Sequence, residues 1–99
     1  MKIINTAIEG VYIIEPQVFE DNRGYFFESY NKQKMDEAGL KYDFIQDNQS
    51  MSKYGTIRGI HFQKGDFAQA KLVRVLEGTV LDVAVDLRKG SKTFGKHVA

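Results

Sequence analysis

The sequence contains no cysteine, one proline and almost no net charge. The lack of cysteine excludes disulfides, thiolate metal sites and cysteine nucleophiles. Nothing in the composition requires an oxidising compartment, so a cytoplasmic location is expected. Fourteen Lys and Arg residues against thirteen Asp and Glu leave a formal charge of +1, which excludes the basic excess that drives non-specific nucleic-acid binding. No nucleic-acid partner is expected.

Long apolar runs are also missing. No stretch approaches the ~18 residues of a membrane-spanning helix, and residues 1–10 lack the basic end and apolar core of a signal peptide. No membrane partner is expected. A chain of 99 residues has room for one small domain, and one proline with nine glycines argues against low-complexity disorder. The chain is therefore expected to fold.

Residues that favour strands dominate what is present, since the chain has twenty Val, Ile and Thr residues and twelve aromatic ones. Short strands separated by Gly, Asn and Asp turns predict a mainly all-β fold of the antiparallel sandwich or barrel type. The only predicted helix covers residues 31–39, with Asn31 as its N-cap and Gly39 at its end. The predicted strands are 11–14, 25–30, 44–51, 56–62, 71–77 and 79–87, and residues 94–99 resemble the start of another.

Residues 90–96 (GSKTFGK) approximate the phosphate-binding loop GxxxxGK. His97 stands where that loop requires Ser or Thr, and no helix follows it. A surface turn between two strands is the favoured interpretation.

His61 lies in an otherwise apolar predicted strand, within residues 58–63 (RGIHFQ). Taken alone, a structural histidine bonded to backbone is the more common interpretation. The neighbouring predicted strands supply cations, and Asp82 and Asp86 could orient an imidazole, so a general base with an anion clamp is the alternative. The cations are Arg58, Lys71 and Arg74. A metal is not expected, because Gln63 stands where a second histidine ligand would be needed.

Two further polar segments leave two interpretations open. Arg23 in the turn at 20–24, together with Glu28, fits either a solvated surface or a grip on phosphate through the planar guanidinium. Residues Gln46, Asp47 and Asn48 either line a wet pocket or face bulk water. The residues themselves do not separate these alternatives.

Taken together, these segments resemble the first half of the dTDP-4-dehydrorhamnose 3,5-epimerase family, and the order and spacing agree from end to end. One departure is Gln49, where many members of the family have histidine. The segments that carry the resemblance are 15–16 (EP), 19–30 (FEDNRGYFFESY), 44–50 (FIQDNQS), 58–63 (RGIHFQ), 69–74 (QAKLVR), 78–90 (GTVLDVAVDLRKG) and 93–95 (TFG).

The resemblance implies that residues 1–99 are the N-terminal portion of one cupin-type jelly-roll domain. It implies a homodimer joined by N-terminal strands, a dTDP-sugar substrate, and no metal or dissociable cofactor. The reaction would invert C3 and C5 of dTDP-4-dehydro-6-deoxy-D-glucose. A one-carbon epimerase and a catalytically silent sugar-nucleotide binding module remain the alternatives.

The resemblance also implies roles for particular residues. His61 would be the catalytic base and Lys71 the cation near the sugar ketone, while Asp82 would line the pocket wall. Arg23 and Glu28 would serve the neighbouring subunit's site. The residues expected to contact the nucleotide sugar are Arg23, Glu28, Gln46, Asp47, Asn48 and Arg58.

Overall fold

The computed structural model describes all of residues 1–99 and contains six short strands, one α-helix and one 3₁₀ turn. The strands form three separate two-stranded antiparallel sheets. No helix is long and apolar enough to cross a membrane. The strands are β1 (Lys2–Asn5), β2 (Tyr12–Glu15), β3 (Phe19–Asp21), β4 (Gly24–Phe26), β5 (Ala84–Val85) and β6 (His97–Val98); the helix α1 is Lys32–Glu37 and the 3₁₀ turn is Gly65–Phe67.

The first sheet pairs β1 with β2, with Ile3 opposite Ile14 and Ile4 opposite Ile13. Its connection is held by the Thr6 hydroxyl, which donates to the Val11 carbonyl oxygen at 2.8 Å. The predicted strand 11–14 agrees with β2 to within one residue, whereas β1 was not predicted.

The second sheet is a tight hairpin of β3 and β4 in which Asp21 pairs with Gly24. The two residues between them, Asn22 and Arg23, form the turn predicted at 20–24. Gly24 has a φ of 142°, a conformation that side chains rarely tolerate, which explains glycine at this position. The predicted strand at 25–30 is shorter than expected, because the pairing ends at Phe26.

Helix α1 confirms the predicted helix and both of its end signals. The Asn31 side-chain oxygen accepts the Lys34 backbone N–H at 3.0 Å, as an N-cap does. Gly39, just beyond the helix, has a φ of 83°. The buried apolar residues include Met35 and Leu40 on this side of the chain and Ile8 in the β1–β2 connection.

Most of the predicted strands in the second half are not formed. Every residue from 45 to 83 is exposed, and none of them lies in a strand. Strand propensity becomes a strand only when a neighbouring chain segment supplies the hydrogen-bonded ladder. These 99 residues supply no such neighbour for the segments 44–51, 56–62 and 71–77, and the segment 79–87 is paired only at β5.

The molecule is accordingly far more open than a complete domain of its mass. Its accessible surface is 9545 Å², against about 5,700 Å² expected for a compact monomer of this mass. Its radius of gyration is 15.6 Å, against about 13 Å for a compact chain of this length. Only four of the 99 residues are buried, so the apolar side chains have not found a common core.

Candidate functional site

The predicted site residues do not share one environment in the structure. Arg23 and Glu28 lie beside regular elements and are held by side-chain contacts. Lys71, His61 and Asp82 lie in the exposed segment 45–83 and make no side-chain hydrogen bond or ion pair within the chain. The structure therefore does not bring the predicted base and its cation into one bonded cluster.

Arg23 projects from the tip of the β3–β4 hairpin, where its side chain is 91% exposed. The carboxylate of Asp21 accepts from both Nε and Nη2 of Arg23, with the Nη2 contact at 2.6 Å. Asp21 also accepts the backbone N–H of Arg23 at 2.8 Å. These contacts lower the pKa of the Asp21 carboxyl and raise that of the guanidinium, because each group stabilises the other's charged form.

Glu28 lies between β4 and α1, and its carboxylate is bonded to the beginning of the helix. Lys34 Nζ approaches it at 2.9 Å and Asn31 Nδ2 donates to it at 3.2 Å. The lysine is the main cause of the lowered pKa of Glu28. The helix thus fixes the carboxylate that was predicted to contact the nucleotide sugar.

The remaining polar candidates make only short-range contacts. Arg58 donates from Nη1 to the Ser50 hydroxyl at 2.9 Å and to the Ser52 hydroxyl at 3.5 Å. Gln46 donates to the Asn48 side chain at 3.4 Å. Asp47 and Asn48 are exposed, so in this chain they face bulk water, which was the second of the two alternatives.

Arg74 departs from the expected position in a cationic cluster around His61. Its guanidinium carbon lies 5.9 Å from the ring centroid of Phe27, at a distance suitable for a cation–π contact. Arg74 therefore contacts the end of the β4 region in this structure.

The structure also corrects the expectation for Asp86, which was a candidate for orienting the imidazole. It is buried, and its carboxylate is occupied by neighbours on its own loop. Arg88 donates from Nε and Nη2 at 2.9 and 3.0 Å, and the Ser91 and Thr93 hydroxyls each donate at 2.6 Å. With its oxygens saturated in this way, Asp86 has no free acceptor to offer His61.

The same cluster explains the segment that approximates a phosphate-binding loop. Gly95 donates its backbone N–H to the Asp86 carbonyl oxygen at 2.7 Å, and Asp86 donates its own to the Lys96 carbonyl oxygen at 2.9 Å. Residues 87–95 are thus a closed turn that joins β5 to β6 around a carboxylate. The favoured interpretation, a surface turn between strands, is confirmed. The missed signal was the spacing of Asp86, Arg88, Ser91 and Thr93.

The cluster predicts a pH dependence of stability. Arg88 and the two hydroxyls hold the pKa of the Asp86 carboxyl far below its usual range. A depressed folded-state pKa means that the stabilisation is complete above the unfolded pKa of about 3.9 and is lost as the pH falls below it. We expect the protection factors of the amides in the 86–96 loop, which are corrected for the intrinsic exchange rate at each pH, to fall from pH 4 towards pH 2. Asp86→Asn should give fast exchange already at pH 7, with Asp82→Asn as the control. Equal protection in Asp86→Asn and the parent at pH 7 would contradict this role.

The comparisons with known proteins point in one direction. Residues 5–99 match a family model described as dTDP-4-dehydrorhamnose 3,5-epimerase. The enzyme of that name from Salmonella typhimurium strain LT2 is 58% identical over 99 residues, which are 99% of this chain and 54% of that protein. The chain thus spans about half the length of the curated relatives it matches.

Two solved structures show the same relationship in three dimensions. The dTDP-4-dehydrorhamnose 3,5-epimerase of Elizabethkingia anophelis superposes with a TM-score of 0.90 at 60% identity, covering 99% of this chain and 54% of that one. The enzyme from Bacillus anthracis, with TDP and PPi bound, gives a TM-score of 0.92 at 47% identity, covering 98% of this chain and 56% of that one. The mainly β fold class predicted from the sequence is confirmed, although its sheets are incomplete within these 99 residues.

Proposed function

Because the chain belongs to the dTDP-4-dehydrorhamnose 3,5-epimerase family, we propose that it supplies the base and the carbonyl-side cation for inversion of C3 and C5 of dTDP-4-dehydro-6-deoxy-D-glucose. The observation that carries the proposal is the extent of the match, since residues 5–99 contain both His61 and Lys71. We further propose that residues 1–99 form the N-terminal portion of one jelly-roll domain.

The chemistry requires two partners at the sugar. A proton next to a ketone becomes acidic only when the resulting enolate charge is stabilised at the carbonyl oxygen. A general base must remove the proton, and a cation must face the oxygen. His61 fills the first role and Lys71 the second, while Asp82 lines the pocket wall. Reprotonation from the opposite ring face completes each inversion and requires a donor that this proposal does not place among the 99 residues.

We assign binding of the nucleotide part to polar and charged residues in three places: the β3–β4 turn, the connection between β4 and α1, and the exposed segment 45–83. Arginine suits this task because its planar guanidinium matches phosphate oxygens two at a time. Holding the pyrophosphate fixes the sugar against the base. The proposed contact residues are Arg23, Glu28, Gln46, Asp47, Asn48 and Arg58.

We also propose that the active protein is a homodimer in which Arg23 and Glu28 reach the neighbouring subunit's site. Support comes from the N-terminal sheets, which have only two strands each and therefore leave two open edges. Aromatic side chains on the second hairpin are exposed as well, with Phe26 at 70% and Tyr25 at 71%. Light scattering on residues 1–99 fused to the remaining part of the Elizabethkingia anophelis enzyme should give the mass of two chains. A monomeric mass at full activity would contradict the dimer.

The test uses a chimaera in which residues 1–99 are followed by the part of the Elizabethkingia anophelis enzyme that lies beyond the matched region, hereafter the completed chimaera. Incubated with dTDP-4-dehydro-6-deoxy-D-glucose in D₂O, it should place deuterium at both C3 and C5, because each abstracted proton is replaced from solvent. Deuterium at one carbon would indicate a single-carbon epimerase. Binding of dTDP without any exchange would indicate a silent binding module, and either result would contradict the proposal.

A further inference from the structure

The contacts of Arg23 use only one side of its guanidinium. Nε and Nη2 both point to the Asp21 carboxylate, whereas Nη1 has no partner within the chain. A guanidinium carries five N–H donors in a rigid plane. With Asp21 on the Nε side, the edge formed by Nη1 and the remaining Nη2 proton stays free, and that edge can still bind an anion through two parallel hydrogen bonds.

The hairpin explains why this arrangement is fixed. Asp21 is the last residue of β3 and pairs with Gly24, the first residue of β4, so only two residues separate the carboxylate from the end of the turn. Asp21 holds the backbone N–H of Arg23 at 2.8 Å as well as its side chain. Main chain and side chain of Arg23 are therefore oriented by the same carboxylate, on a turn of defined geometry.

We propose that Asp21 is a positioning residue for nucleotide-sugar binding, which presents the free Nη1–Nη2 edge of Arg23 to a phosphate oxygen pair of the substrate. The inference rests on the proposed function. Arg23 is 91% exposed, and a long side chain in water must lose rotamer freedom when it binds a ligand. The hydrogen bonds from Nε and Nη2 to Asp21 favour one orientation of the side chain before the ligand binds, which reduces that loss.

A carboxylate that did not position Arg23 would have the opposite effect on ligand binding, and this difference makes the proposal testable. A carboxylate near a phosphate repels it, so a residue without a positioning role would weaken binding when present and its removal would tighten binding. Asp21→Asn separates the two cases, since the amide oxygen can still accept the Arg23 backbone N–H while the charged pair with the side chain is lost. Glu20→Gln is the matched control, because it removes one carboxylate from the same hairpin and Glu20 has no ion pair.

The experiment measures dTDP affinity by calorimetry and KM and kcat by epimerisation, all in the completed chimaera. For Asp21→Asn we expect the Kd for dTDP and the KM to rise about three- to tenfold, with kcat unchanged, while Glu20→Gln stays within twofold of the parent. In an Arg23→Lys background, which has no planar fork, Asp21→Asn should not raise the Kd further, because only the repulsion between Asp21 and the phosphate is then removed. Thermal unfolding of each variant identifies a loss of fold.

Any one of the following results would overturn the proposal: unchanged affinity in Asp21→Asn, tighter binding in Asp21→Asn, or equal effects of Asp21→Asn with Arg23 and with Lys at position 23. A fall in kcat together with the unfolding temperature would show a structural role instead and would also overturn it. These outcomes differ from failure of the proposed function, in which the parent chimaera itself would produce no exchange at C3 and C5.

Discussion

His61→Ala in the completed chimaera should reduce epimerisation by about 10² to 10⁴-fold, because removal of the general base leaves no side chain placed to take the proton. The loss should fall on kcat, since the nucleotide contacts assigned to the arginines remain. Deuterium incorporation at C3 and C5, followed by NMR, measures the rate of proton abstraction directly. The affinity for dTDP, measured separately, should be close to that of the parent.

The chain offers a matched control for this experiment in His97, its only other histidine. His97 is exposed and lies in β6, and the proposed mechanism gives it no role. His97→Ala should retain the parent rate within about twofold. Exchange by His61→Ala within tenfold of the parent would refute the assignment of His61 as the base, and so would a similar loss in both variants.

The second large effect concerns the 99-residue chain by itself, which we expect to show no cooperative thermal transition and to associate in solution. Cooperative folding needs a core whose burial outweighs the lost chain entropy, and this structure buries only Ile8, Met35, Leu40 and Asp86. Large apolar side chains remain in water, with Ile45 at 94%, Met51 at 92% and Ile57 at 95% exposure. Contiguous exposed apolar surface favours association.

Scanning calorimetry and size-exclusion chromatography with light scattering test this expectation, with the completed chimaera as the control. The chimaera should melt in one transition and elute as a defined species, because the added strands cover the apolar segment. The chain alone should also show no turnover. A monodisperse monomer of residues 1–99 that melts cooperatively would contradict the first expectation, and measurable epimerisation by it would contradict the second.

Features set by neighbouring residues could be predicted from the sequence. The Asn31 cap and the glycine at position 39 define α1, because both act within one or two helical turns. The turn at 20–24 was predicted for the same reason, since a two-residue hairpin depends on the residues within it. The match of these local signals to the structure is close, and the boundaries differ by only a few residues.

Features that depend on distant partners could not be predicted in the same way. The alternation of apolar residues over 79–87 indicates a strand with one buried face, yet Leu81 is 80% exposed and only Ala84–Val85 is paired. An alternation with a period of two indicates how a segment would pair with a neighbouring strand. It does not show that such a strand is present. Asp86 failed as a predicted imidazole partner for a related reason. Its position on the strand said nothing of Ser91 and Thr93, which lie across the turn.

For the candidate site, residue roles could be predicted but their assembly could not. The motif around His61 indicates a base, whereas the structure leaves that residue in the exposed segment without a bonded partner. Pairing of Arg23 with Asp21 was within reach of the sequence, because Asp21 comes directly before the two-residue turn that contains Arg23. A turn signal indicates only a connection between two strands, and it does not indicate that the residue before the turn supports the arginine.

Each of the three sheets pairs strands that are neighbours in the sequence, and this affects how the chain folds during its synthesis. Each sheet joins strands that follow one another directly, as β1 with β2, β3 with β4 and β5 with β6. Hairpins of this kind close within microseconds, whereas a ribosome adds roughly 5–20 residues per second. Each sheet therefore has time to form as soon as it has left the exit tunnel. The exposed segment 45–83 between β4 and β5 has no such local pairing, so it leaves the tunnel with its apolar side chains in water, where they are open to association.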